Sequence, residues 1–260
     1  MSYKTIRLEI VEHVAVLTFN RPDKLNALTP ALFREAIDAI DAALSQGARA
    51  LVITGEGRAF SSGADLTGEG TGGFPADLGA VIDAAYNPFA RKLAALDIPV
   101  ITAVNGPAVG AGCGFALSGD IVVMARSAYL LLSFVNIGLV PDAGATWAVA
   151  KSAGRAKALE MALLGEKMSA QEAHDAGLVA RVVDDEALMG EAMSIAHRLA
   201  AGPTMAIGLI RKQVAAALTS TFAETLDIER DNQSAAGRTA DFREAVIAFA
   251  QKRAPTFEGR

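Results

Sequence analysis

Three short apolar runs set the terms on which this chain can fold. Ala50-Leu51-Val52-Ile53-Thr54 ends in Gly-Glu-Gly, Pro99-Val100-Ile101-Thr102-Ala103-Val104 ends in a glycine-rich turn, and Ile121-Val122-Val123-Met124 follows. Apolar runs of this length, closed by turn residues, read as strands covered on both faces. Segments of helical pattern lie between them, so crossovers join the strands and the expected class is α/β.

Local signals extend this frame. Ile6, Leu8 and Ile10 alternate with polar neighbours and Val14 to Phe19 follows Glu12-His13, which predicts a hairpin. Thr29-Pro30 supplies an N-cap with proline behind it, and Leu32, Ala36, Ile37 and Ile40 recur at helical spacing, so a helix is expected to about Gly47. Ser169-Ala170-Gln171-Glu172 has the form of a capping box, with Gly177 as the stop and an extended stretch from Leu178 to Val183. From Glu186 onward the pattern is helical, and the last helix carries Phe242, Ala245, Val246, Phe249 and Ala250 on one stripe. Thr67 to Pro75, T-G-E-G-T-G-G-F-P, reads as a mobile loop beside a site.

A chain of 260 residues, 52% apolar and 20% charged, fits one packed core with an appendage. The net charge of −5 and the lack of a basic block argue against a nucleic-acid groove, while leaving room for a local cationic pocket. The single Cys113 cannot form an internal disulfide, and no Cys/His cluster has metal-ligand spacing, so no metal is expected. With neither a secretory pattern at the N-terminus nor an uninterrupted membrane-length apolar run, a cytoplasmic protein without a membrane partner is expected.

The chemistry concentrates where glycine does. In V-N-G-P-A-V-G-A-G-C-G-F-A-L-S-G-D, Val104 to Asp120, the spacing of Gly110, Gly112 and Gly114 matches neither a dinucleotide fingerprint nor a phosphate loop. Two readings stand: close packing of small residues, or a strand-to-helix bend whose free backbone amides hold an anion, including a transient oxyanion. A-F-S-S-G-A-D-L, Ala59 to Leu66, is a second such bend, or a tight turn with Asp65 as a local cap. Asp142, in I-G-L-V-P-D-A-G-A-T-W, is either a helix N-cap or a proton-handling carboxylate. His13, His174 and His197 fall outside every glycine-rich segment, so no serine triad has an evident base, and Ser61 and Ser62 read as turn residues.

N-R-P-D-K-L-N-A-L, A-F-S-S-G-A-D-L, A-V-N-G-P-A-V-G-A-G-C and G-L-V-P-D-A-G-A-T-W, in this order, resemble the crotonase (enoyl-CoA hydratase/isomerase) superfamily over nearly the whole chain. Y-N-P-F-A-R-K-L-A and E-R-D-N-Q-S-A-A-G-R-T-A-D-F-R-E resemble its phenylacetate-pathway branch, which isomerises a ring epoxide of phenylacetyl-CoA. The resemblance implies a spiral of β-β-α turns over residues 1–195, carrying an acyl-CoA site. It also implies a helical oligomerisation region over 196–260, a homotrimer or dimer of trimers, and coenzyme A entering as the substrate thioester with no separate cofactor. It makes the Ala64 and Ala111 amides the donors to the thioester oxygen. The coenzyme would lie against Lys24, Leu25, Ser62 and Ala64, with Phe249 and Lys252 reaching it from a neighbouring subunit.

Departures from the family pattern shape the expected reaction. Where a hydratase of this family carries two glutamates, this sequence has Gly114 and Phe134, neither able to move a proton. Asp142 remains, at the position where isomerases of the family carry an aspartate, and burial among Phe134, Leu139, Val140 and Trp147 is expected to raise its pKa. An acyl-CoA isomerase acting on a ring epoxide or a 3-enoyl thioester is therefore the leading expectation. The alternatives are a 2-enoyl-CoA hydratase, hydrolytic or dehalogenating chemistry with Asp142 as nucleophile, and a non-catalytic acyl-CoA binder.

Overall fold

The computed structural model describes residues 3–66 and 77–259. The expected loop at Thr67 to Pro75 lies outside them. Strands β1 (Ile6–Val11) and β2 (Val14–Phe19) form the antiparallel hairpin. Helix α1 (Pro30–Ser45) follows, with Thr29 Oγ1 accepting from the Leu32 amide at 3.2 Å. After β3 (Ala50–Gly55) a helical run comprises α2 (Leu78–Val81), a π-helical turn (Ile82–Tyr86) and α3 (Asn87–Ala95). The turn has a local cause. Pro88 has no N–H, and its ring would press on the carbonyl four residues back, so the helix widens and Asn87 N donates to Ile82 O.

From β4 (Val100–Val104) onward, the strands divide between two sheets. Strand β5 (Ala108–Val109) and helix α4 (Ala111–Ala116) precede β6 (Ile121–Ala125) and β7 (Tyr129–Leu131). Helices α5 (Ala145–Ser152) and α6 (Gly154–Leu164), strand β8 (Lys167–Ser169), helix α7 (Ala170–Asp175) and strand β9 (Arg181–Val183) complete the winding. The six-stranded sheet has the order β1-β2-β3-β4-β6-β9 and is parallel beyond the hairpin; the smaller one is β5-β7-β8. From β4 to β7 successive strands alternate between the two, and β8 joins β7 in the smaller one before β9 returns to the larger. Single bridges at Leu28–Ala64 and Ser61–Ala108 continue the small sheet's row. Each turn therefore gives one strand to the large sheet and one short piece to the small one, the β-β-α spiral. The predicted capping box of α7 is present, with Ser169 and Glu172 bonded reciprocally, and Gly177 at φ +78° follows the helix end.

Helix α8 (Leu188–Ala200) packs on β2, β3, β4 and β6 and buries Ile195, Ala196 and Ala200. A boundary after residue 195 falls inside this helix. The helices beyond it are α9 (Thr204–Ala217), α10 (Phe222–Ala236) and α11 (Ala240–Gln251). On α11 the apolar stripe of Phe242, Val246 and Phe249 is exposed, while Asp241 and Ala248 are buried. The Asp241 carboxylate accepts from the Glu258 and Gly259 amides at 2.7 and 2.9 Å, which ties the C-terminal tail to this helix. Among the described residues no helix is long and apolar enough to cross a membrane, and no cluster of His, Cys, Asp and Glu could hold a metal ion.

Candidate active site

The two glycine-rich bends meet backbone to backbone. Ser61 is wholly buried; its hydroxyl donates to Asn26 O at 2.9 Å and accepts from the Gly63 amide at 3.2 Å. Asn26, also buried, donates to the Glu56 and Ala59 carbonyls at 2.9 and 2.7 Å and accepts from the Arg21 amide at 2.9 Å. A buried side-chain amide satisfied on three sides fixes the segment it sits in. Arg21 Nη2 reaches Asp65 Oδ2 at 2.8 Å, with both side chains largely buried. Asp65 is thus the ion partner of Arg21.

Gly63 has φ +89°, and a Cβ placed on it would stand 2.8 Å from Val109 O and 3.6 Å from the Ala111 nitrogen. Only a residue without a side chain permits both that conformation and that approach. The neighbouring amides are engaged: Gly63 with Ser61, Asp65 with Leu28 O at 2.9 Å, Gly110 with Leu131 O at 2.8 Å. The Ala64 and Ala111 amides have no protein acceptor among the described residues, and both residues line one cavity of about 360 Å³. The close-packing reading also holds for part of the run, because a Cβ on Gly112 would lie 2.7 Å from Ser61 O.

The same cavity takes in Asp142. Its Oδ1 is buried without a hydrogen-bond partner. Removal from water pushes the carboxyl from 3.8 up to about 6, its own backbone amide acting in the opposite direction. Asp142 is not an N-cap. Helix α5 opens on Gly144 with no side-chain cap, and Asp142 contributes only its carbonyl, to the Ala145 amide at 2.9 Å. Between them Ala143 is held at φ +51°, a conformation that costs an L-residue about 1–2 kcal/mol. Gly114 packs against that residue: a Cβ there would lie 2.7 Å from Ala143 O. The space beside Gly114 is filled by the backbone that carries Asp142.

Phe134 lines the cavity opposite the second bend, with Leu139 and Val140 beside it. Trp147 does not; it is half exposed on α5 and takes no part in the lining. Ile82 and Tyr86, from the π-helical turn, line the cavity, and neither stands out in the sequence as a site residue. The sequence signal available for them was Pro88, which marks where a helix must deform.

At one rim Lys24, Leu25 and Ser62 come together. Ser62 N donates to Leu25 O at 2.9 Å and its hydroxyl to Lys24 O at 3.3 Å. Lys24 is exposed in the turn Pro22–Lys24, and Leu25 turns the chain at φ +51°. Phe249 and Lys252 are exposed at the end of α11 and outside the cavity lining, so one chain does not bring them to it. None of the three histidines lines the cavity.

The raised pKa of Asp142 makes two pH effects predictable. Acting as a base, the carboxylate should give a kcat/KM that rises with pH through about 6 and then levels. Because the folded-state value lies above the free one, the fold holds this proton more tightly than the unfolded chain does. The group's contribution to stability is full below about pH 4 and is lost as pH rises through the folded pKa. Asp142→Asn, neutral throughout, should therefore raise Tm relative to wild type at pH 8 and match it at pH 4, as read by thermal unfolding.

The profile of the enoyl-CoA hydratase/isomerase family matches residues 9–260. The chain is 45% identical over 251 residues to the 1,2-epoxyphenylacetyl-CoA isomerase of Escherichia coli K12, covering 95% of each chain. It is 42% identical over 260 residues to a protein of Rhodobacter capsulatus named "Probable enoyl-CoA hydratase", covering 100% of both. The crystal structure of an enoyl-CoA hydratase from Polaromonas sp. JS666 superposes with a TM-score of 0.91 at 33% identity, over 97% of this chain and 99% of that one.

Proposed function

The chain belongs to the enoyl-CoA hydratase/isomerase family, and from that premise we propose that it is an acyl-CoA isomerase working with two backbone amides and one carboxylate. The observation that carries the reading is Asp142, among the described residues the only carboxylate lining an apolar cavity that also holds the unengaged Ala64 and Ala111 amides.

For a 3-enoyl thioester the steps balance with one group. The Asp142 carboxylate takes a proton from C2, and the electron pair moves through the C1–C2 bond onto the thioester oxygen. The Ala64 and Ala111 amides hold that oxygen as charge develops, each donor contributing on the order of 3–4 kcal/mol. The protonated Asp142 then delivers the proton to C4, the electron pair returns, and the double bond lies between C2 and C3. A pKa near 6 suits a group that must both accept and return a proton.

The ring epoxide of phenylacetyl-CoA is the second substrate of this reading, supported by the Escherichia coli relative's name. Coenzyme A would enter as part of the substrate along the rim of Lys24, Leu25 and Ser62. Phe249 and Lys252 would meet it from a neighbouring copy in a trimer or dimer of trimers, for which the exposed stripe on α11 is the available apolar face. The family's hydratases keep 2-enoyl-CoA hydration as the second reading. Gly114 and Phe134 weigh against it, because among the described lining residues no second carboxylate is present to activate water.

The test is turnover of crotonyl-CoA, a 3-enoyl-CoA and the ring-epoxide thioester by the purified protein. Isomerisation of either of the last two well above hydration of crotonyl-CoA supports the reading. Hydration as the dominant activity reverses it, and tight binding without turnover of any substrate favours a non-catalytic binder.

A further inference from the structure

The cavity wall is almost entirely hydrocarbon, which makes its few side-chain polar groups informative. Among the described residues they are, besides Asp142, the hydroxyls of Ser62, Ser133 and Tyr86. The Ser62 hydroxyl is bonded to Lys24 O. Ser133 sits beside the second bend, its oxygen 3.7 Å from where a Cβ on Gly110 would be. Tyr86 stands elsewhere, on the π-helical turn, with its ring buried against Phe33 at a centroid separation of 4.6 Å.

No protein group among the described residues engages the Tyr86 hydroxyl, and it is not among the buried polar atoms sealed from solvent without a partner. A tyrosine buried this far ordinarily finds a partner for its O–H. Here the ring belongs to the core and the hydroxyl opens onto the cavity the ring lines. The phenol stays protonated at any working pH, since burial first, and the charges of Asp142 and Asp65 after it, push its pKa to about 12. It is a hydrogen-bond donor facing a space built for an acyl group.

We propose that Tyr86 is a specificity-determining residue, donating a hydrogen bond to an oxygen carried on the acyl group itself, so that the cavity favours oxygenated acyl groups over hydrocarbon ones of the same shape. The inference rests on the reading of this cavity as the acyl site. A phenylalanine here would complete an apolar wall with the same packing against Phe33. The hydroxyl has a use only if the ligand brings an acceptor to it, because a bound hydrocarbon would strip it of water and leave it unpaired.

Inert thioesters test this without reliance on turnover. Binding of phenylacetyl-CoA and 2-hydroxyphenylacetyl-CoA to the full-length protein is measured by calorimetry for wild type, Tyr86→Phe and Leu139→Trp. Wild type should bind the hydroxylated thioester about tenfold more tightly. Tyr86→Phe should bind the two equally, holding phenylacetyl-CoA at least as well as wild type does. Equal binding of the two by wild type, or a preference that survives Tyr86→Phe, overturns the proposal. Leu139→Trp fills the cavity from its rim and should weaken both ligands. If it weakens neither, the acyl-site reading itself fails, a result distinct from failure of the Tyr86 assignment alone.

Discussion

Replacing Asp142 with asparagine is expected to lower kcat for isomerisation by about 10²–10⁴-fold, with KM little changed. The substitution keeps the shape of the side chain and removes only its ability to take and return a proton. No other carboxylate or imidazole lines the cavity among the described residues: Gly114 has no side chain, Phe134 is hydrocarbon, and the histidines lie elsewhere. The loss should come with the gain in Tm at pH 8 described above, because a carboxylate with one buried, unpartnered oxygen is costly to the fold when charged. A slower but more stable variant is the signature of a site where stability has been given up for chemistry. A variant that is slower and less stable would instead indicate that Asp142 serves the fold. Steady-state kinetics and thermal unfolding on the same preparation separate the two.

Gly63→Ala should have the second-largest effect, a fall in kcat of about 10²–10³-fold, the loss seen when one oxyanion donor is misplaced. The added methyl would meet Val109 O at 2.8 Å, inside any ordinary contact, in a backbone conformation that already strains L-residues. The two bends must move apart by several tenths of an ångström, and the distance between the Ala64 and Ala111 amides changes with them. Because Asp142 lies on a different segment, the limb near pH 6 should persist in the residual activity. Persistence distinguishes a damaged oxyanion site from a generally disrupted cavity. Full activity in a folded Gly63→Ala protein would show that the paired amides do not hold the reacting oxygen.

Features whose cause is local were the ones the sequence disclosed. The hairpin at Glu12-His13, the Thr29-Pro30 start of α1 and the Ser169–Glu172 capping box each depend on residues within a few positions of one another. Asp142 stood out for a similar reason, as a carboxylate among glycines in an apolar stretch. Contacts between distant segments were not legible. That Gly114 is closed off by Ala143, or that Asp65 pairs with Arg21, depends on how the spiral stacks its turns. Trp147 shows the same limit. Its neighbours Ala145 and Val149 share one face of α5 and are buried, so position 147 is carried to the opposite side. Tyr86 does not stand out because an aromatic in an amphipathic helix reads as core, and its ring is core. Only the fold reveals that its hydroxyl is not. On α11 the periodicity of Phe242, Val246 and Phe249 was correct, but periodicity alone does not say whether such a stripe faces its own core or another copy.

The central claim is that two main-chain amides hold the thioester oxygen while one carboxyl moves hydrogen between carbons. A crystal structure of Asp142→Asn with a bound 3-enoyl-CoA tests it most directly, since the substitution should preserve the substrate intact. The account predicts the thioester oxygen about 2.7–3.1 Å from both the Ala64 and Ala111 nitrogens, with the residue 142 side chain over the C2–C4 segment. A thioester oxygen bound away from both nitrogens, or a side chain at 142 turned from the acyl group, would contradict it.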